Sequence, residues 1–286
     1  MRYIGNKTRL LDFIRRVLRD RGIRGGRAVD PFTGTASVAR ALKRWQFGVA
    51  AADIMEYGYV FARAYVEVVR RPAFEGVAAE TRRTDLAAVL RFLNRLEPEP
   101  GFIHEHYCPD GSAGAAHGRM YFTPRNAARI DAIRARIHAW QRSGRIDADG
   151  YHTLLAALIE AADRVANTTG VYAAFVKSWQ PNALRPLELR VARHVGGNGC
   201  HAYRADALQT VREAGEFDLL YLDPPYNSRQ YAGYYHIPEL IARGWFDGPV
   251  HTRGKTGLIE DADRRTAWSS SRRCEEAFEA LIAAAR

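Results

Sequence analysis

The sequence predicts an α/β fold with a parallel, Rossmann-like sheet that is interrupted by a long, mainly helical insertion. Three observations support this prediction. A strand at 27–30 leads through a glycine turn into a helical run, which is how a βαβ unit begins. The strand at 217–222 is an almost continuous apolar run, which is typical of a parallel strand covered on both faces. Between them, residues 123–170 show helical periodicity.

The first two strands carry the features of a nucleoside-binding site. The strand at 27–30 ends in Asp30, and the turn after it contains Gly34, which lets a ligand approach the backbone closely. A second strand at 48–52 ends in Asp53, which is spaced from the glycine turn about as a ribose-binding carboxylate would be. The turn lacks the full Gly-x-Gly-x-x-Gly pattern. Taken alone, it is therefore explained equally well by an ordinary α/β turn.

The insertion is predicted to contain an αα-hairpin. Thr123 is a suitable N-cap with Pro124 at the first helical position, and apolar residues recur on one face until 143–144. A second helix starts near Asp149 and ends within 167–170. The apolar stripe of the pair is expected to be core.

The last two predicted strands each end in an aspartate. The strand at 201–205 is followed by Asp206, which could accept a hydrogen bond from a ligand or could be the N-cap of the next helix. The strand at 217–222 is followed by Asp223. Open α/β sheets bind ligands at the carboxyl ends of their strands, so Asp223 is expected to lie in a site.

Asp223 opens the segment Asp223-Pro224-Pro225-Tyr226, which is the most informative one in the chain. The two prolines prevent the strand from continuing as helix or ladder, and their carbonyls are left able to accept hydrogen bonds from a ligand. A carboxylate, a bare carbonyl and the aromatic face of Tyr226 can surround one planar amine. The segment therefore indicates methylation of an amino group. A proline loop that merely ends a strand is the alternative.

With these motifs the chain resembles the D12 class of adenine-specific DNA methyltransferases, the Dam-like family that includes many restriction-modification methylases. Residues 3–7 are similar to the family's N-terminal motif, 30–34 to its S-adenosylmethionine loop, and 223–226 to its catalytic motif. The motifs also occur in the family's order, and 121–172 is similar to a helical segment of restriction-type members. One departure is Ala36, where the family often has a second glycine.

The resemblance implies a methyltransferase that carries a methyl group from S-adenosylmethionine to the N6 amino group of a flipped adenine in double-stranded DNA. The catalytic residues that it implies are Asp223, Pro224, Pro225 and Tyr226. The cofactor-binding residues that it implies are Tyr3, Asn6, Lys7, Asp30, Phe32, Gly34, Asp53 and Asp206. Lys7 would lie near the methionine carboxylate, with an ordinary surface lysine as the alternative.

Other functions remain open at this point. One is a noncatalytic nucleic-acid-binding remnant, and another is a methyltransferase acting on N4-cytosine, RNA or a protein glutamine. Aspartate rather than asparagine before Pro-Pro-Tyr argues against the glutamine enzymes, and the basic helical insertion favours duplex DNA. Arg125, Arg129 and Arg136 of that insertion are expected on a solvated face, with contact to the DNA backbone as the alternative.

Composition supports a nucleic-acid partner without deciding it. The formal net charge is +10, which suits phosphate contacts, but the basic residues are nearly all arginine and this bias can also reflect a GC-rich genome.

The three cysteines form no Cys-x-x-Cys pair, and residues 104–108 lack a second ligand cluster at zinc-site spacing, so no metal is expected. We see no signal peptide and no apolar run long enough to span a membrane, and we therefore expect a cytoplasmic protein.

Two domains are expected. Residues 1–71 and 196–286 would form the catalytic domain, and 72–195 the insertion, which is the candidate target-recognition region. Only four strands can be identified, fewer than a sheet of this family has. The catalytic domain is therefore expected to be incomplete at its C-terminus, with 217–222 as an apolar edge. Either a companion polypeptide completes the sheet or the chain is a truncated gene product.

Overall fold

The protein is described by a computed structural model, which covers residues 3, 5–112, 118–192, 194–197, 199–225, 231–259, 266–270 and 272–286. In chain order the helices are α1 Leu11–Asp20, α2 Ser37–Arg44, α3 Glu56–Ala62, α4 Ala78–Thr81, α5 Leu86–Leu93, α6 Phe102–Tyr107, α7 Pro124–Arg142, α8 Ala148–Val165, α9 Ala207–Glu213, α10 Tyr231–Tyr234, α11 His236–Arg243 and α12 Cys274–Ala284. The strands are β1 Gly26–Asp30, β2 Phe47–Ala52, β3 His201–Tyr203, β4 Leu219–Leu220, β5 Thr252–Arg253 and β6 Leu258–Ile259.

The chain divides into two units. The sheet unit comprises Gly5–Arg70, Arg193–Ala232 and Ala262–Arg286. The helical unit comprises Met1–Ile4, Arg71–Ala192 and Gly233–Asp261.

The sheet unit is built on four parallel strands in the order β3-β2-β1-β4. β1 is central, with Gly26 opposite Phe47 of β2 and Val29 opposite Leu220 of β4. These are the four strands expected from the sequence, and the predicted α/β class is confirmed. β4 is shorter than predicted, although backbone hydrogen bonds to β1 continue on either side of it, at Asp218 and Tyr221.

The core of the sheet unit forms because β1 and β2 are apolar and covered. Val49 of β2 is fully buried, and Val29 of β1 packs in one cluster with Val211 of α9 and Leu281 of α12. Trp268 completes that cluster. The C-terminal helix therefore belongs to the core that supports the central strand.

The helical unit contains the predicted αα-hairpin. Thr123 caps α7, because its side chain accepts a hydrogen bond from the Asn126 N–H, and Pro124 occupies the first turn. α7 is followed by Ser143 and by Gly144 at φ +68°, which ends the helix as expected. Asp147 caps α8, two residues earlier than the predicted start. The prediction of two helices is confirmed, and their facing apolar residues are buried.

The expectation of a solvated arginine face on α7 is wrong for Arg129. Arg129 is buried and donates to the carbonyls of Asn94 and Leu96. Arg136 pairs with Glu80, whereas Arg125 is exposed as expected. The physical reason is that α7 is covered on most of its circumference, so its polar side chains satisfy groups of neighbouring segments.

Residues 233–261 were predicted to lie in the catalytic domain, but in the structure they belong to the helical unit. The residues of α11 that pack inward, including Ile237 and Leu240, are buried, and α11 lies against α8. Arg134 of α7 donates to the carbonyl of Ile241 near the end of α11. No helix in the described part of the chain is both long and apolar enough to cross a membrane.

Candidate active site

Three aspartates meet at the carboxyl edge of the sheet. Asp30 is the last residue of β1, Asp53 directly follows β2, and Asp223 follows β4. Since these strands are parallel neighbours, their carboxyl ends lie side by side. The sequence predicted this edge as the site, and the structure brings the three predicted acids together there.

Asp53 organises the glycine turn. One of its carboxylate oxygens accepts from the Gly34 N–H at 2.7 Å, and the other accepts from the Met55 N–H at 2.8 Å. Gly58 of α3 makes room for this carboxylate, because a Cβ there would lie 2.4 Å from Asp53 Cγ. Asp53 therefore ties the turn after β1 to the start of α3.

The backbone of the turn is held tightly. Gly34 has φ +53°, and the Thr33 N–H donates to Ala52 O at 2.9 Å. Ala36 also lies in the left-handed region, at φ +57°, and is fully buried. This conformation costs a non-glycine residue roughly 1 kcal/mol, which explains why a glycine suits the position.

Asp30 is the most perturbed acid of the site. Only 1% of it is exposed, and burial, together with the nearby carboxylates of Asp223 and Asp53, raises the pKa of Asp30 to about 8. The Phe32 N–H opposes this shift by donating to its carboxylate at 3.3 Å. Asp30 is therefore mostly protonated at neutral pH. A cation that arrives beside it would favour its ionised form.

The catalytic motif meets the N-terminal motif through an ion pair. Lys7 Nζ lies 2.6 Å from Asp223 Oδ2 and also donates to Gly5 O at 2.9 Å. Asp223, Pro224 and Pro225 are half-buried. Burial, and then the charges of Asp223 and Asp30, raise the pKa of Tyr221 well above its ordinary range. Sequence reasoning did not anticipate the Lys7 pair, because no local pattern links the two motifs.

Tyr226, predicted as the base-stacking residue, lies outside the described residues. Pro224 and Pro225 directly follow Asp223, so their position at the carboxyl end of β4 is as the sequence predicted. Their catalytic roles remain predictions.

Two predicted cofactor contacts have local structural roles. The Asn6 side chain accepts from the Thr8 N–H at 2.9 Å and so caps the 3-10 turn Lys7–Leu10. The Asp206 side chain accepts from the Leu208 N–H at 2.9 Å and caps α9, which was the alternative weighed for it. Asp206 still carries its second carboxylate oxygen, whereas the Asn6 oxygen also accepts from the Thr8 hydroxyl and leaves only its amide NH2 group for a ligand.

The two predicted aromatic contacts lie in different units. Phe32 packs edge to face on Trp268, with ring centroids 4.8 Å apart, within the sheet unit. Tyr3 stacks on Tyr235 at 4.5 Å within the helical unit. Their contacts with a cofactor remain predictions.

The side chains of segment 104–108, which contains histidine and cysteine, pack against or bind neighbouring residues of the protein. The segment lies mainly on α6. The ring of His106 packs on Phe102 at 4.2 Å, and the buried Cys108 thiol donates to His104 O. Among the residues that the structure describes, no group of three or more histidine, cysteine, aspartate or glutamate side chains is placed to hold a metal ion.

The protein has the sheet and the motifs of a Rossmann-like methyltransferase that acts on amino groups. A glycine turn follows β1, an acid follows β2, and Asp-Pro-Pro follows β4. The match to the family of D12 class N6 adenine-specific DNA methyltransferases extends over residues 3–268. The chain belongs to this family, and it is a DNA methyltransferase. The family and the enzyme class predicted from the motifs are thereby confirmed.

Three relatives illustrate the similarity. The chain is 37% identical to Type II methyltransferase M.NlaIII of Neisseria lactamica, over 99% of this chain and 79% of the relative. It is 35% identical to Modification methylase LlaI of Lactococcus lactis subsp. lactis, over 90% of this chain and 40% of the relative. It is 33% identical to Type II methyltransferase M.FokI of Planomicrobium okeanokoites, over 99% of this chain and 42% of the relative. No solved structure matches the chain.

Proposed function

We propose that this protein transfers the methyl group of S-adenosylmethionine to the N6 amino group of a flipped adenine at a specific site in double-stranded DNA, as the methylase of a restriction-modification system. The observation that carries the proposal is the placement of Asp223-Pro224-Pro225 beside the Asp30–Gly34 turn. The two segments follow strands that are directly paired, with Val29 opposite Leu220. The segments assigned to the methyl donor and to the target amine therefore adjoin on one edge of the sheet.

The residues of the turn fit S-adenosylmethionine. This cofactor carries a positively charged sulfonium and an ammonium group, and the site supplies the carboxyls of Asp30, Asp53 and Asp223. Asp30 and the Gly34 turn would hold the methionine part, Asp53 the ribose hydroxyls and Asp206 the adenine amine. When bound, the cofactor supplies an electrophilic methyl group.

Asp223 and the Pro224 carbonyl would bind the target amine. An adenine amino group is a poor nucleophile, because its lone pair is delocalised into the ring. Hydrogen bonds from its two hydrogens to Asp223 and to Pro224 O favour a pyramidal nitrogen with an available lone pair. Asp223 need not remove a proton before methyl transfer, since the methylated ammonium is strongly acidic. The rate enhancement therefore comes from the orientation of the amine and from electrostatic stabilisation.

Lys7 would orient Asp223 for this role. Its ammonium contacts one carboxylate oxygen, Oδ2, at 2.6 Å, which leaves Oδ1 to face the amine. A second contact, to Gly5 O, fixes the lysine itself. Tyr226 would stack on the flipped base, a contact typically worth about 1–3 kcal/mol. Flipping is required because the exocyclic nitrogen cannot meet the sulfonium methyl in line from within the base stack.

The test is transfer of a labelled methyl group from S-adenosylmethionine to duplex DNA of mixed sequence, followed by identification of the modified nucleoside. We expect N6-methyladenine. Asp223→Ala should lower the rate by about 100-fold or more while cofactor affinity stays within about three-fold, because Asp223 is assigned to the amine. Asp20→Asn, at an exposed aspartate at the end of α1, is the matched control. N4-methylcytosine as the product, or full activity in Asp223→Ala, would contradict the proposal.

The companion polypeptide predicted from the sequence stays a prediction. Among the described strands, β4 pairs with β1 and with no other, so its second edge is where an added strand would pair. Methyl transfer by the purified chain should then rise when the product of the downstream reading frame is added. Full turnover by a monodisperse monomer would contradict this prediction.

A further inference from the structure

The helical unit contains a short β-hairpin whose connecting carbonyls are bound by buried side chains. Its strands β5 and β6 pair antiparallel, with Arg253 opposite Leu258. The connection between them runs over residues 254–257. Both of its glycines have positive φ, +67° at Gly254 and +69° at Gly257, a conformation that glycine adopts without strain.

Every backbone carbonyl of this connection lies within hydrogen-bond distance of a side chain from elsewhere in the unit. The contacts are Arg119 Nη2 to Gly254 O at 3.0 Å, Arg119 Nε to Lys255 O at 3.3 Å, His236 Nε2 to Thr256 O at 3.1 Å and Tyr107 Oη to Gly257 O at 2.7 Å. We call Tyr107, Arg119 and His236 the carbonyl clamp. All three are buried.

The clamp holds the turn closely. A Cβ at Gly257 would lie 2.8 Å from Tyr107 Cε1 and 3.0 Å from Arg119 Cζ, so the backbone packs directly on the clamp. Arg119 is itself fixed by a bond to His106 O. Since the carbonyls point inward, the course of the turn is set by buried groups.

The hairpin carries two cationic side chains, Arg253 at the end of β5 and Lys255 in the connection. Arg253 and Lys255 are both exposed, and neither side chain has an ion pair or hydrogen bond with a described residue. In the same unit, by contrast, Arg136 and Arg145 both pair with Glu80. The hairpin therefore presents two cations, unpaired with any described residue, on a backbone whose carbonyls are held by the clamp.

We propose that this hairpin binds the phosphate backbone of the DNA substrate through Arg253 and Lys255. A guanidinium and an ammonium are the groups that proteins use for phosphates, and neutralising phosphates supplies much of the affinity for DNA. A turn that is already ordered loses little conformational entropy on binding. The inference rests on the proposed function, because its partner is the substrate of that reaction. It extends the DNA-contacting region beyond the insertion, to a segment that follows the catalytic motif.

The first test measures the affinity of Arg253→Ala/Lys255→Ala for duplex DNA as a function of salt concentration. Losing two phosphate contacts should make the slope of log affinity against log salt shallower by about 2 and weaken binding about tenfold or more near 0.1 M salt. The matched control is Arg16→Ala/Arg19→Ala, which removes the same charge from two exposed arginines of α1, outside both the hairpin and the insertion. S-adenosylmethionine affinity should not change in either variant.

A second variant, Tyr107→Phe, tests the clamp without changing the charge. It removes the hydroxyl that donates to Gly257 O but keeps the ring. We expect DNA binding a few-fold weaker with an unchanged salt slope, because the two cations remain but their backbone is less well ordered.

The outcomes separate this inference from the proposed function. Equal affinity and equal slope in the double variant and the parent would overturn the role of the hairpin while the proposed function stood. An equal loss in the control pair would also overturn it, because the effect would then belong to the overall charge. A parent that binds and methylates no duplex DNA would overturn the proposed function.

Discussion

Replacing Asp30 by asparagine should make the stability of this protein less sensitive to pH. Asp30 is 1% exposed, and its carboxyl lies next to the carboxylates of Asp53 and Asp223. Asparagine has nearly the same size and keeps an oxygen to accept from the Phe32 N–H. The substitution therefore removes the titration of this group and changes little else.

The magnitude follows from the pKa. Burial first, and the neighbouring carboxylates second, raise the pKa of Asp30 from 3.8 to about 8. Since the folded state holds this proton more tightly than the unfolded chain, the stabilising contribution is fully present below about pH 4 and is lost as the pH rises through about 8. Across that window the free energy of unfolding falls by about 1.4 kcal/mol per pH unit from this group alone. Between about pH 5 and pH 7 the free energy of unfolding falls by about 3 kcal/mol in total from this group.

The assay is urea denaturation of the parent and of Asp30→Asn at several pH values from about 5 to about 8, without cofactor. Other groups titrate in both proteins and cancel in the difference. The variant should gain stability relative to the parent by an amount of this order as the pH rises. Asp20→Asn, at an exposed carboxylate, serves as the control for the loss of one carboxylate. A pH-independent difference for Asp30→Asn would refute the argument that its carboxyl is held protonated.

Two further predictions concern residues around the turn and the catalytic motif. Asp53→Ala should weaken S-adenosylmethionine binding at least tenfold and destabilise the fold by about 1–3 kcal/mol, because the Gly34 N–H loses its acceptor. Calorimetric titration and thermal unfolding measure the two effects, and unchanged cofactor affinity would show that the ribose contact is assigned wrongly. Lys7→Met should lower the rate of methyl transfer at saturating DNA about tenfold while cofactor affinity stays within about three-fold, because Asp223 loses its ion pair. Weaker cofactor binding with an unchanged rate would instead place Lys7 at the methionine carboxylate.

The features that local sequence determines were predicted well. The apolar runs that end in Asp30 and Asp223 mark two strands and their carboxyl ends, because the backbone of a buried strand must be paired along its whole length. Thr123 marked the start of α7 in the same way, because an N-cap satisfies donors only two or three residues away. These signals lie within a few residues of the structure they specify.

Other features depended on contacts between distant segments. Sequence reasoning did not predict the ion pair between Lys7 and Asp223, and the contact of Lys7 with the cofactor stays a prediction. It placed Arg129 on a solvated face, whereas neighbouring segments cover that face of α7. It assigned residues 233–261 to the catalytic domain, whereas they fold with the helical unit.

The sequence by itself therefore determined the fold class, the order of the motifs and the edge of the sheet that holds the site. The tertiary structure decided which charges meet there, which arginines are buried and how the hairpin turn is held. The reason is physical: periodicity and capping act within one or two turns of chain, whereas an ion pair or a buried guanidinium depends on which segments the whole fold places in contact.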